Sequence, residues 1–554
     1  MLKKGNEVVG ISDTDTKTLS SNVSISKSVN AADYLDSNGR LVLDGLKGNQ
    51  NGYIRVRGEG LVINPGDSTD ESVSLVNSSY VILDGLTVKG GFKNGIDIAS
   101  SCSNIIIRNC DISNWGRVGT VTATAYNDDG TVATVRLIDK NGDEINYDAG
   151  IKMIGVSDIL VENCDIHSPN GNSTPWKGER DGVTWSFSHP QGSNGIYVKG
   201  ERITVRYNNI VGSSNHRFND CIEGNGNFSA DGGFAADCDI YGNLLAFAED
   251  DCIELDGGAR NVRFFGNRMT ASRTGISTAA NCVGPSFIFN NLIHDIRDSR
   301  GRTEYFVKIG NDKKYGQGIT HIFNNTFYST NNTKGIVNLT GKYYNAVTGN
   351  NIIVNNGTGT ISVRNEADGE CVSSFDNDLI YNMDLSAPII SIASGLKKEE
   401  NAILAAPSFK SVDWGLFSLN QGSPGAGAAV KKNGFEFEGR NVGALDGSFA
   451  SMLPLRQVSV TLGKEYVPMS KSSSAAVSFT YNGDKTSGFE IIRLAGDDSR
   501  VEITPSSGQA VPNETVTLNL TSANYSIDTA YSDEIFLIRF EDGQSIPVGI
   551  RFAK

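Results

Sequence analysis

The same four-residue unit, Asp-Cys-Ile-Glu, occurs twice in the sequence, at Asp220 to Glu223 and again at Asp251 to Glu254. Neighbouring β-strands lie about 4.8 Å apart, so two such units side by side would gather four carboxyl groups within about 10 Å. Like charges that close raise one another's pKa and keep some carboxyls protonated near neutrality. A pair split in this way is what glycoside hydrolysis requires: one acid protonates the leaving oxygen and one carboxylate activates water or attacks directly. Acids at turns have two other uses, capping backbone amides and binding Ca²⁺ through clustered oxygens. Glu249, Asp250 and Asp256 in the same AEDDCIELDGG segment, with Asp231, Asp237 and Asp239 between the two units, supply further oxygens for such an ion, although most read as turn residues on a solvated surface.

The elements that would position these acids are visible as internal repeats. Short strands of the form Gly/Cys, apolar, variable, apolar recur as GIDI, GIKM, GIYV, CIEG, CIEL and GIST. A second signature, an alternating strand leading into Asn and an apolar pair, recurs as IIIRNCDI, ILVENCDI, ITVRYNNI, CDIYGNLL, VRFFGNRM and HIFNNTF. Asn243, Asn267 and Asn291 follow at intervals of 24 residues, one coil of a solenoid. Stacked coils pair every backbone group and enclose a column of Val, Ile, Leu and Phe that no single strand could bury. The repeated Asn is first a structural device, because it tolerates left-handed geometry and can bond its counterpart one coil away. The pattern predicts an all-β protein, a right-handed parallel β-helix.

Aligning the short strands by their opening Gly or Cys places Asp97, Lys152, Tyr197, Glu223, Glu254 and Ser277 at one register position. Side chains alternate along a strand, so the flanking Ile, Met, Val and Leu face inward and this row faces out, as a solvent-side ladder. Asn94, Asn194, Asp220, Asp251 and Thr274 stand three residues earlier, at the turn into each strand. The candidate catalytic residues are therefore Asp251, Glu254, Glu223 and Asp220, with Tyr197 and Lys152 as substrate-binding neighbours.

Two long interruptions break the coils. The segment 115–148 alternates around NDDG and predicts a protruding β-hairpin. The segment 167–194 is a loop rich in Trp, Gly and Ser that carries Trp176, Trp185, Arg180 and His189, and loops of this length on a solenoid commonly project over a working face. His216 and Arg217 precede Asp220 closely enough to border the same groove. Trp115, Trp176 and Trp185 have the chemistry to stack on sugars, or to lid the core. The candidate binding set is His216, Arg217, Tyr197, Lys152, Trp176, Trp185 and His189.

The division expected is a leader or cap over 1–45, a β-helix over 46–450 closed by SPGAGAAVKKNGFEFEGRNVGALDG, and a small β-sandwich over 455–554, where short strands such as AAVSFTY and EIFLIRF recur. A formal charge of −14 without a Lys/Arg block speaks against nucleic acid as a partner. No apolar run reaches the roughly 18 residues of a membrane span, and the first residues lack a signal-peptide core. The eight cysteines include no paired CxxC motifs and most read as reduced core residues rather than a disulfide framework or metal cluster, Cys110 with Cys164 and Cys221 with Cys252 being equivalent by register.

The repeated coils, the acids in NDCIEGNG and AEDDCIELDGG, and the SPGAG…NVGALDG closing segment resemble the pectate-lyase-like right-handed β-helix superfamily. With the appended sandwich and no signal peptide, the chain is similar to bacteriophage tailspike depolymerases. The resemblance implies an endo-acting glycoside hydrolase that degrades a bacterial capsule, exopolysaccharide or O-antigen from the virion tail or outside the cell, assembled as a homotrimer. It implies no cofactor beyond the Ca²⁺ that the acids could hold. A secreted bacterial hydrolase fits the same motifs. A polysaccharide lyase would need a base beside a uronate and a cation to neutralise it, for which Lys152, Tyr197, His216, Arg217 and Lys308 offer parts. A non-catalytic glycan-binding spike is the third reading.

Overall fold

The computed structural model describes residues 2–4, 7–9, 22–58, 60–130, 132–180, 182–185, 189–338, 345–357, 373–386, 399–432, 438–444, 460–496, 499–523, 533–541 and 543–552. It is an all-β chain whose main body is a parallel β-helix. Each regular coil contributes three strands to three faces. In one coil these are Asp251–Glu254 on the first face, Val262–Phe265 on the second and Arg268–Thr270 on the third, before Thr274–Thr278 returns to the first. Every one of these strands pairs in parallel with its equivalent one coil on. The segment expected as a leader, 1–45, already supplies strands Ile25–Asn30 and Leu41–Asp44 to the long sheet.

A column of β-branched residues holds the coils in register. Ile151, Ile196, Ile222, Ile253, Ile276 and Val307 pair successively along the first face and are fully buried in one core. Burying each such side chain contributes about 1.5–3 kcal/mol, and shifting the strand by one residue would turn the whole column outward. Cys110, Cys164, Cys221, Cys238 and Cys252 fill the same core as free thiols, and Cys371 lies outside the described residues.

The asparagines form a second ladder. The side-chain amide of Asn243 donates to Asn267 Oδ1 (2.9 Å), Asn267 to Asn291 (3.1 Å), Asn291 to Asn325 (3.0 Å) and Asn325 to Asn351 (2.9 Å). These asparagines are not themselves the left-handed residues. Positive φ falls one position earlier, at Gly242, Gly266, Asn290, Asn324 and Asn350, and in earlier coils at Asn109 and Asn163. The turn thus divides its two demands between adjacent residues, one absorbing the backbone bend and the next bridging the coils.

The 115–148 insertion contains an antiparallel pair, Thr120–Tyr126 with Val132–Ile138. Toward the C-terminus a four-stranded and a five-stranded sheet enclose one apolar core. They dock on the third face, where Leu494, Ile535 and Leu537 pack with Val211, Leu244 and Phe247. Arg539 bridges to Asp111 and Asp165 there, both at 2.9 Å. Among the described residues, the ion pairs and apolar contacts of this interface fall outside the first-face strands. No helix among the described residues is long and apolar enough to cross a membrane.

Candidate active site

The register expected from the sequence is the register observed. Asp97 pairs with Lys152, Lys152 with Tyr197 and Tyr197 with Glu223, while Ile222 opposite Ile253 places Glu223 beside Glu254, which in turn pairs with Ser277. One residue missing from the expected row completes it: Ser277 pairs with Lys308.

Asp97 and Lys152 are partly exposed, with 27 and 34 % of their side chains open, but from Tyr197 to Ser277 the row is buried rather than a solvent-side ladder. Asp220, Glu223, Asp251 and Glu254 are 2, 8, 0 and 8 % exposed. Glu223 and Glu254 alternate with the isoleucine column and point away from it, but polar side chains close in around the four acids. Asn227 donates to Glu254 Oε2 at 3.0 Å, Asn219 donates to Asp220 and Glu223 at 3.1 and 3.4 Å, and His189 from the 167–194 loop stands 3.7 Å from Asp250 Oδ2. Alternation along the strand predicts direction correctly and is silent about what arrives from elsewhere in the chain.

Part of the turn row is structural. Asn94 Oδ1 accepts the backbone N–H of Ala149, Asn194 Oδ1 that of Asp220, and Asp220 Oδ1 that of Asp251, each capping the next coil. The sequence stops at Asp251. Its Oδ1 is buried with no hydrogen-bond partner, and its Oδ2 receives the Lys308 ammonium at 2.7 Å. Asp220, Asp250 and Asp251 each bring one carboxylate oxygen within 4.8 Å of the others. Asp250, read from sequence as a turn residue, belongs to this cluster and is itself buried.

Burial and mutual repulsion dominate the electrostatics. Desolvation, then the charges of Asp250, Glu254, Glu223 and Asp251, raises Asp220 well above the usual carboxylate range. Desolvation pushes Glu223 up to about 8 and Asp251 to about 7, the latter held back by Lys308. Glu254 is likewise raised by burial and by Asp256, Glu223 and Asp251. Burial alone would lower Lys308, but Asp251, Asp250, Asp256 and Glu254 lift it well above an ordinary lysine. Three clustered aspartates with one orphaned oxygen form a hard-oxygen donor set, which fits Ca²⁺.

The remaining candidates divide. Tyr197 lies one strand from Glu223, accepts a hydrogen bond from Asn225, stacks on Tyr147 (5.2 Å) and is pushed up to about 12 by burial and by the charge of Glu223. Lys152 sits one strand further away and pairs with Asp97 at 3.1 Å. His189 and Trp176 pack together at 5.2 Å, with the Arg273 guanidinium over the indole, so they stand at the rim of the cluster. The side chain of Trp185 lies outside the described residues. Arg217 does not border the groove: it is buried, donates to the carbonyls of Ala248 and Arg297 at 2.8 and 2.9 Å, and faces Glu249 at 3.3 Å. His216 bonds the Pro169 carbonyl at 2.7 Å. Three or four residues of turn separate this pair from Asp220, enough to rotate both side chains to another side of the coil. Trp115 is wholly buried against Phe218 and is a core residue.

No family model and no curated protein matches the chain. Among solved structures, pectate lyase Pel9A is 12 % identical, with a TM-score of 0.28, over 76 % of this chain and 86 % of that one. The periplasmic chaperone SfaE is 19 % identical over 17 % of this chain, which spans 56 % of that chain, with a TM-score of 0.15. WR4, a C. elegans MSP family member, is 8 % identical over 18 % of this chain and 97 % of that one, also at 0.15.

Proposed function

We propose that the chain cleaves a uronate-containing polysaccharide by β-elimination, with Lys308 as the base and Asp220, Asp250 and Asp251 as ligands of a divalent cation. The observation that carries this reading is the Lys308 ammonium 2.7 Å from Asp251, inside a buried cluster of carboxylates. A lysine held there can take a proton only once the surrounding negative charge is neutralised. A bound Ca²⁺ would supply that neutralisation, for the aspartates and for the substrate's own carboxylate, making the hydrogen on the adjacent carbon more acidic.

The neutral Lys308 amine takes the C5 proton, the C–H electron pair becomes the C4–C5 double bond, and the C4–oxygen bond breaks. Glu223, whose carboxyl keeps its proton up to about 8, returns a proton to the departing oxygen. Tyr197, in register beside Glu223, contacts the chain on one side of the break. His189 and Trp176 wall the opposite rim.

Hydrolysis is the second reading, favoured by the same raised Glu223: a carboxylic acid still protonated near neutrality beside ionisable Asp251 is the pairing a glycosidase uses. One assay separates the two. Elimination leaves an unsaturated uronate that absorbs in the ultraviolet and hydrolysis does not. Incubating the protein with polygalacturonate, alginate and hyaluronate, with Ca²⁺ and with a chelator, should give Ca²⁺-dependent absorbance on at least one polymer. Shortened chains without absorbance would replace elimination by hydrolysis, and intact polymer throughout would refute both.

A further inference from the structure

Two exposed aromatic side chains flank the carboxylate row, and both are built into it. Tyr147 is 55 % exposed, yet its neighbours are fixed. Ile145 is buried in the hairpin's small core, and Asp148 is locked by Arg117, which donates to its carboxylate at 2.7 Å. The Asn146 carbonyl accepts from Asn194, the residue that caps Asp220. One face of the Tyr147 ring lies on Tyr197 at 5.2 Å and 23°, leaving the rest of the ring to solvent. At the other end Phe228 is 57 % exposed and packs at 5.3 Å against Tyr315, in the loop that follows the Lys308 strand. Asn227, immediately before Phe228, donates to Glu254.

An exposed aromatic ring on an ordered segment costs free energy in water that a partner recovers, and little chain entropy is lost on binding because the ring is already placed. Hydrogen bonds tie both segments to site residues, so they keep a fixed position relative to the row. From Tyr197 to Lys308 the row spans four inter-strand steps, roughly 19 Å. That is far more than a single cleavage point needs.

We propose that Tyr147 and Phe228 are sugar-stacking platforms at the two ends of one extended groove, so that a glycan chain lies along the coil axis across the row from Tyr197 to Lys308 and is cut internally. The inference rests on the polysaccharide-cleaving reading and adds where the chain lies and why cleavage is endo. Saccharide rings present an apolar C–H face that suits an aromatic platform, while their hydroxyls reach the polar floor between.

The test uses affinity electrophoresis through gels containing polygalacturonate, alginate or hyaluronate, run for the full chain and for Tyr147→Ala, Tyr147→Phe and Phe228→Ala, together with the size distribution of products. On the polymer that retards the parent protein, each alanine variant should bind roughly tenfold more weakly, with the loss falling on KM. Tyr147→Phe should restore retention, which a merely structural role for the hydroxyl would not predict. Unchanged retention and product sizes in both alanine variants would overturn the platforms even if cleavage is confirmed. A parent protein that is retarded without cutting, with retention lost in the alanine variants, would keep the platforms and refute the lyase. No retardation on any of the three polymers would count against both.

Discussion

Lys308 and Asp251 form an ion pair of 2.7 Å across two strand steps of the first face, through the row that runs from Glu254 to Ser277 to Lys308. Asp251 is fully buried and keeps one oxygen with no hydrogen-bond partner, while the Lys308 side chain is 12 % exposed. A pair of this kind is poor as a stabilising device, because desolvating two charges offsets most of their attraction. In the proposed elimination Lys308 becomes a proton acceptor only once a bound cation offsets the carboxylates, which otherwise hold its proton in place.

Replacing that acceptor is the first prediction. Lys308→Ala should lower turnover by about 10² to 10⁴. Lys308→Arg retains the charge against Asp251 but cannot give up its proton, so it should fold as well as the parent and remain inactive. Initial rates of ultraviolet absorbance, beside thermal melting of both variants, check this. An active Lys308→Arg protein would remove the base from Lys308.

The second concerns the cation. Adding Ca²⁺ to chelator-treated protein should raise the melting temperature, by the equivalent of about 2.7 kcal/mol once the ion stands at a hundred times its dissociation constant. Asp250→Asn should abolish the increment. Asp220→Asn should weaken it while still capping the Asp251 amide, because an asparagine oxygen can accept the same bond. Calorimetric titration with Ca²⁺ and Mg²⁺ measures the effect directly.

The fold was legible because its signals are local and repeated: a Gly or Cys, an alternating pair, an Asn at a fixed place. The site was legible only as far as register reaches. Glu223 and Glu254 fall where alternation puts them, but Lys308 escaped the row because Phe306 stands where the other coils have Gly or Cys. Aligning the inward Val307 with Ile276 would have found it. Burial of the row was not readable, since Asn227 reaches Glu254, and His189 reaches the neighbouring Asp250, from loops whose paths no periodicity encodes. Arg217 shows the opposite failure, a residue near in sequence whose guanidinium turns inward to main-chain carbonyls.

The asparagine ladder yields a prediction about stability alone. Asn267 accepts the backbone N–H of Asn243 and donates to the Ile240 carbonyl, all out of reach of water. Asn267→Ala would strand both partners, at a cost of about 2–5 kcal/mol. Denaturant unfolding should show that loss, whereas cleavage per folded molecule at low temperature should match the parent. A proportional loss of activity would mean that the ladder does more than hold the coils together.

The last prediction follows from the carboxyl of Glu223. In the unfolded chain it titrates near the ordinary 4.5, while in the folded protein burial holds its proton up to about 8. Between those two values the folded state binds more protons than the unfolded state, so stability must fall as pH rises. The contribution is fully present below about pH 4.5 and is lost as pH passes about 8, at a limiting slope of about 1.4 kcal/mol per pH unit for each such group. Asp251, raised to about 7, adds to the same trend. Chelator-treated protein should therefore melt at a lower temperature at pH 8 than at pH 5, and Glu223→Gln should show a shallower decline because its amide carries no proton to lose. Saturating Ca²⁺ should flatten the parent's curve by compensating the charge that deprotonation creates. Melting curves across that range, with and without Ca²⁺, decide the matter: a parent protein whose stability rises from pH 5 to 8 in chelator would show that these carboxyls are ionised in the fold.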